Sequence, residues 1–320
     1  MKKRVIIIGA GHGGVQAAST LREDGFEGEI IMISDESDAP YQKPPLSKGY
    51  LQGKQSAQAI LLRSANYYND NSIDLQLGVR VNAIHSKENQ IELSDGSKLD
   101  YDYLIIATGA CNRKLHFNGK KAEKVYYLRN FSDAKVIEEK LDPAQHIIIV
   151  GGGFIGLELA ALAIEKGKKV TVIETEDRLM KRVLPEALSK VFYDTHKEKG
   201  IEMLLGVSVV DIIDGKMVTL NNGTILKADL VLAGIGVIVE TELTENSGIT
   251  IDNGIVVNSF QQTNERFSVY YFNDGKLIAV DSLNRPADHL NARKLLTAGI
   301  SPTKEQVQNF DFKLNELLTD

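Results

Sequence analysis

Gly151, Gly153 and Gly156 stand at G-x-G-x-x-G spacing, and Glu174 follows eighteen residues after the last of them. Each residue type answers a need of dinucleotide binding. The first glycine permits a tight turn, the second lets a pyrophosphate approach the backbone, and the third lets helix and strand pack closely. The free N–H groups and positive end of the following helix then face the phosphates. The acid is placed to accept from a ribose 2′-hydroxyl. Gly9, Gly11 and Gly14 repeat the spacing, with Asp35 twenty-one residues beyond Gly14. A bare G-x-G-x-x-G is also what a glycine-rich turn in an α/β core looks like. Here strand, loop, helix, strand and acid occur in order, twice, and the second copy supports the first.

The elements that must hold these loops are legible on both sides. Arg4–Ile8 and Ile147–Val150 are apolar runs that read as buried parallel strands. Helix patterns follow from about Val15 to Glu23 and from about Phe154 to Lys166. Glu29–Ser34 and Val170–Ile173 are the next strands, ending in Asp35 and Glu174. The repeat continues with a hairpin signal around Asp95-Gly96 and another around Asn222-Gly223. It closes in LIIATGA (Leu104 to Ala110) and in LVLAGIG (Leu230 to Gly236). The expected fold is therefore α/β, with two Rossmann-like dinucleotide-binding domains. Each is three-layered, a parallel sheet plus a β-meander. Two dinucleotides held by similar domains would let one deliver electrons to the other.

At 320 residues, the chain is long enough for two or three domains. The hydrophobic share of 43% and charged share of 25% are those of an ordinary globular protein. A net charge of −6 gives no general electrostatic reason to expect nucleic acid or an anionic membrane as partner. No run of eighteen apolar residues is present. The start, MKKRVIIIGAGHGG, reads as a first strand rather than a leader, since its apolar run passes straight into glycines. One cysteine, Cys111, excludes an internal disulfide or dithiol and reads as a small apolar filler. A cytoplasmic protein is expected. The six histidines show no metal-ligand spacing, so no metal is expected. Oligomeric state is not legible.

Further segments add a resemblance. These are SDESDAPYQKPPLSKGYL (Ser34 to Leu51), DYDYLIIATGA, YYLRN, GGGFIGLELAA, VIETEDRLMKRVLP, ADLVLAGIGV and DNGIVV. With GAGHGG, they make the chain similar to the flavoprotein ferredoxin reductases of the rubredoxin, putidaredoxin and biphenyl-dioxygenase type. That group belongs to the two-dinucleotide-binding pyridine nucleotide-disulfide oxidoreductases. PYQKPPLSK is the most specific piece, and the resemblance runs from Met1 to about Thr263 and resumes near Phe267. It implies an NADH-dependent FAD flavoprotein that passes electrons to a small ferredoxin or rubredoxin. FAD would be held by Gly9, Gly11, Gly13 and Gly14, by Asp35 at the ribose, and by Lys43 and Lys48. Val81 would reach the adenine through its backbone, while Thr108, Gly109 and Arg129 would line the cofactor. NADH would be held by Gly151, Gly153, Phe154, Ile155, Gly156, Glu174 and Gly236. Glu174 favours NADH over NADPH, because a 2′-phosphate would face a like charge.

Lys48 and Glu158 are the implied catalytic pair, expected to form an ion pair between the two nucleotide domains. Each candidate has a plainer reading. Lys43 and Lys48 could be solvated lysines, and Arg129 an ordinary hairpin-edge arginine. Glu158 lies in the expected first helical turn, where the helix dipole alone favours a carboxylate.

The resemblance also breaks. In the relatives, the stretch matching Asp252 to Thr263 leads into a strand ending near Ala-Ala-Gly-Asp, whose aspartate meets the flavin. Here QQTNERFSVYYFNDGK follows, and Phe267 to Leu296 looks like the family's late C-terminal domain. An internal deletion after about residue 264 is the simplest account, leaving a shortened α+β C-terminal piece. The expected domains are 1–112 with 240–266 for FAD, 113–239 for NAD, and 267–320 as the remnant. Phe267 to Phe272 should then pair antiparallel with Leu277 to Asp281. Another alignment would let Asp274 stand in for the lost aspartate. Losing two charge-assisted hydrogen bonds costs ~3–6 kcal/mol, or about a hundred- to ten-thousand-fold in FAD affinity. A homologue that binds NADH but holds FAD weakly is thus the alternative reading.

Overall fold

The computed structural model describes residues 2–258, 261–263, 267–273, 276–283, 286–303, 306–307 and 314–318. By contacts the chain divides into two compact units, Met1–Val81 with Tyr101–Glu240, and Asn82–Asp100 with Thr241–Asp320.

Both glycine loops lie in the first unit. Strand Arg4–Ile8 pairs in parallel with Glu29–Ser34 on one side and Tyr103–Ile106 on the other, and Ile73–Leu77 adds the fourth strand. Strand His146–Val150 repeats this arrangement between Lys169–Glu174 and Leu230–Ala233. Glu202–Leu205 and Val125–Tyr127 complete its five-stranded sheet. The central strands carry unbroken isoleucines because both faces are covered. Ile6, Ile7, Ile147, Ile148 and Ile149 have no exposed surface.

The correspondence reaches individual backbone bonds. Gly9 N–H donates to Ile33 O and Gly151 N–H to Ile173 O, both at 2.8 Å. Val79 N–H reaches Ser34 O, as Val207 N–H reaches Glu174 O. At the opposite end of the central strands Asp102 accepts from Arg4 N–H, and Asp229 from His146 N–H.

Helix His12–Glu23 starts three residues before its sequence pattern, and helix Phe154–Glu165 lies as expected. The second meander (Val209–Ile213, Met217–Leu220, Ile225–Lys227) turns at Gly223, with φ +84°.

The segment Tyr41 to Ile60 packs into the core of the second module. Leu46 and Leu51 share a buried cluster with Phe131, Leu159, Ala160 and Ala163. Both modules therefore fall in one unit.

The second unit contains the rest of the first meander, with Gln90–Leu93 and Lys98–Asp100 around Gly96. It also contains the expected hairpin. Phe267–Asn273 pairs antiparallel with Lys276–Leu283, in register Phe267↔Leu283, with an irregularity between Tyr271 and Phe272. Helix Pro286–Ala298 follows, and its Ala292 and Leu295 bury Leu314. Asn264, Glu265 and Asp274, on which the two alignments of this region turn, lie outside the described residues.

Candidate functional site

The two glycine loops can be tested for the room a dinucleotide needs. Gly9 has φ +108° and Gly151 φ +109°, a left-handed turn that disfavours any side chain. A Cβ on Gly14 would stand 1.9 Å from Gly9 O, and one on Gly156 2.0 Å from Gly151 O. Each helix start is thus pressed against its own turn. At Gly11 a Cβ would meet nothing within 4 Å, and at Gly153 only Gly234 O at 3.9 Å. These two residues face open space. Neither helix has a side-chain cap or an acid in its first turn. Their leading N–H groups and positive ends are left for an anion. The cradles fit two pyrophosphates.

The acids are placed differently. Glu174 Oε2 accepts from Gly152 N–H at 2.7 Å, and its Oε1 from Glu176 N–H at 2.9 Å and from the Thr175 hydroxyl at 3.0 Å. The carboxylate is locked beside its loop. In the first module Ser34 occupies that strand end. Asp35 lies one residue on, 3.5 Å from the Arg80 guanidinium, and both side chains are mostly exposed. Val81, buried, opens the next strand beside Arg80.

Pro44–Ser47 forms a 3-10 turn, and Lys48 N–H donates to Pro45 O. The two prolines fix φ there, so Ser47 and Lys48 leave the turn in set directions. Lys48 Nζ sits 2.9 Å from Glu158 Oε1. The expected pair forms, between residues 110 apart. Ser47 Oγ donates to the other carboxylate oxygen, Oε2. Glu158 is not in the first helical turn, as the sequence reading had it. The helix begins at Phe154, so Glu158 is its fifth residue and its first turn has no acid. Dipole stabilisation falls off within the first turn, and the observed partners account for the placement instead.

Lys43 is held by Glu36 Oε1 at 2.8 Å. Tyr41 donates its hydroxyl to Glu36 Oε2 and accepts from Phe131 N–H. Burial, then the bond to Glu36, push the Tyr41 phenol well above its ordinary range. It therefore stays a donor.

Thr108 Oγ1 donates to Glu240 O, and Gly109 O accepts from Glu240 N–H. Arg129 Nε donates to Ala110 O at 2.6 Å, and its side chain lies over Gly109. These three candidates come together where strand Ala110–Asn112 pairs with Val237–Val239. Gly236 opens that second strand at φ +102°, its carbonyl accepting from Arg113 N–H. Phe154 and Ile155 are exposed at 51% and 39% beside the second loop. Cys111 is not the filler expected of it. It lies exposed on the Ala110–Asn112 strand, because a two-stranded ribbon has no layer to cover its outer face. Burial, then Glu240, raise its thiol above the ordinary value. Ser47, Glu36 and Tyr41 went unread, although they lie within the PYQKPPLSK stretch or just before it. A hydroxyl or carboxylate there carries no spacing signal of its own.

Residues 3–292 match the family described as pyridine nucleotide-disulphide oxidoreductase. The chain belongs to this family. Among relatives, rhodocoxin reductase of Rhodococcus erythropolis is 32% identical over 397 residues, covering 97% of this chain and 93% of the relative. Putidaredoxin reductase CamA of Pseudomonas putida is 40% identical over 270 residues. That match covers 82% of this chain and 64% of CamA, under two thirds of the relative's length. The solved covalent putidaredoxin reductase–putidaredoxin complex superposes with a TM-score of 0.78 at 29% identity, covering 99% of this chain and 98% of that one. The relatives are oxidoreductases, and this oxidoreductase family binds FAD and a pyridine nucleotide. The two glycine cradles suit those two groups. The reading of an impaired homologue is not favoured by these relatives. No helix among the described residues is long and apolar enough to cross a membrane.

Proposed function

We propose that the protein is a cytoplasmic NADH-dependent FAD reductase that passes electrons to a small ferredoxin or rubredoxin. The carrying observation is the Lys48–Glu158 contact, which joins the proline-stiffened segment of the first module to the nucleotide helix of the second. The printed names of the relatives, reductases of putidaredoxin, rubredoxin and ferredoxins, support the choice of acceptor. When bound, FAD supplies the chemistry of accepting a hydride and releasing electrons singly. The protein's residues supply placement. The first loop, Gly9 to Gly14, holds the FAD pyrophosphate, with Asp35 at the ribose and Val81 at the adenine. Lys43, Thr108, Gly109 and Arg129 line its length. The second loop, Gly151 to Gly156, holds NADH with Phe154, Ile155, Gly236 and Glu174. Lys48 stands at the flavin ring with its charge balanced by Glu158, which holds a cation there.

In this reading residues 1–112 and 240–266 form the FAD domain and 113–239 the NAD domain. Residues 267–320 are a shortened C-terminal piece. An internal deletion after about residue 264 is supported by the rhodocoxin reductase alignment, which runs over 397 positions where this chain has 320 residues. The test is the visible spectrum of the purified chain, followed by anaerobic addition of NADH and then of an oxidised [2Fe–2S] ferredoxin. Yellow protein that bleaches with NADH and then reduces the iron–sulfur protein is expected. Colourless protein that cannot be loaded with FAD defeats the reading.

A further inference from the structure

We propose that Ser47 is a positioning residue that sets the orientation of the Glu158 carboxylate, leaving one of its oxygens committed and the other exchangeable. This rests on the reading of Lys48 and Glu158 given above. The two oxygens have unlike partners. Oε2 accepts from Ser47, whose side chain is buried in a residue only 4% exposed. Oε1 faces Lys48, whose side chain is 53% exposed.

An exposed ammonium on a four-carbon stem holds a carboxylate weakly, because water and salt screen the pair and the chain's rotamers compete. A buried hydroxyl does not let go easily. Its alternative is to stay dry and unbonded, and that is the costlier state. The ends of the Ser47–Glu158 bond are also stiff. Ser47 ends the Pro44–Ser47 turn, whose prolines fix two φ angles. Its neighbour Leu46 is packed with Leu159 and Ala160, from the same helix as Glu158. Left alone, the terminal torsion of a glutamate is broad and roughly two-fold. The Ser47 bond narrows it, and Oε1 then points where Lys48 meets it. Lys48 can release Oε1, which then accepts from a donor on an arriving nucleotide while the carboxylate keeps its plane. Gln52 Nε2, 3.3 Å from Glu165 Oε2, ties the same loop to the far end of the helix. Docking therefore does not depend on Ser47 alone.

The experiment compares Ser47→Ala, Ser47→Thr, Glu158→Gln and the double variant Ser47→Ala/Glu158→Gln in the full chain. NADH dissociation constants are read by nucleotide fluorescence on flavin-free protein, and flavin reduction by rapid mixing on flavin-loaded protein. Thermal unfolding of every variant separates folding losses from site losses. Loss of Ser47 should weaken NADH binding or slow flavin reduction about tenfold, the worth of one hydrogen bond to a charged group. Ser47→Thr, which keeps the hydroxyl, should recover most of that. The double variant should be no worse than Glu158→Gln, because Ser47 acts only through Glu158. The proposal is overturned if Ser47→Ala behaves as the parent, if Thr fails where Ala fails, or if the two losses multiply. If Glu158→Gln is impaired and Ser47→Ala is not, only the role of Ser47 falls. If Glu158→Gln itself binds NADH and reduces flavin normally, the assignment of Glu158 falls with it.

Discussion

The two nucleotide modules share a backbone down to single hydrogen bonds, yet they place the acid that follows the loop differently. In the second module the acid ends the strand, and the glycine loop's own Gly152 N–H holds it. In the first module a serine stands at that place, and the acid is displaced by one residue onto the surface beside Arg80. The meanders diverge as well. The outward residues of the first are polar, with His85 meeting Glu92 and Gln90 meeting Asp100. The second leaves Ile213, Met217 and Ile225 exposed. In the proposed reading a common frame fixes where phosphates go, while side chains at the strand ends decide how firmly each ribose is met.

The sharpest way to break this comparison is to fill one cradle at a time. Gly14→Ala and Gly156→Ala each place a methyl against backbone carbonyl, at 1.9 and 2.0 Å. Each should cost at least ~2 kcal/mol of stability. Gly14→Ala should abolish flavin retention, and Gly156→Ala should abolish NADH binding, read by flavin content and nucleotide titration. Both variants losing both ligands equally would mean that the loops are not independent sites.

Glu174→Ala should weaken NADH about ten- to a hundredfold, through lost charge-assisted hydrogen bonds. NADPH should be affected less, and Glu174→Arg should favour it. A parent protein that already binds NADPH more tightly would contradict the assignment. Asp35→Ala removes an exposed carboxylate from a pair that contributes less than about 1 kcal/mol. Flavin affinity should fall by less than the NADH loss in Glu174→Ala, and calorimetry at low and high salt would show whether the gap holds.

The smallest expected effect is a pH dependence confined to the second module. Burial, then Lys169, push the His146 imidazole below its ordinary value. A lowered folded pKa means that the unfolded chain binds the proton more readily. The stabilisation is therefore present above the ordinary histidine value near 6.5 and is lost as pH falls through it. The matching position in the first module is Arg4, not a histidine. Urea midpoints between pH 5 and 8 should show a slope that His146→Gln flattens. An unchanged slope would remove His146 from the account.

Much of the frame was legible because local chemistry dictates it. Isoleucine runs bounded by glycines have few ways to be buried, and both loops, their strands and the Asn222-Gly223 turn lie where the pattern put them. Glu158 was placed one turn too early, since helix starts depend on backbone hydrogen bonds that the residue pattern does not carry. The exposure of Cys111 was misread because a cysteine next to an apolar run looks the same whether a layer covers it or not.

The sequence by itself determined that two glycine cradles exist and which strands hold them, since glycine spacing and apolar runs act within about thirty residues of chain. It also determined, through PPLSK, that a lysine would be held in a stiff turn. Only the tertiary structure decided what that turn meets. The packing of Leu46 and Leu51 onto the helix of a module a hundred residues away brings Ser47 and Lys48 to opposite oxygens of Glu158. No local pattern carries that, because the contact is set by buried surface shared between distant segments.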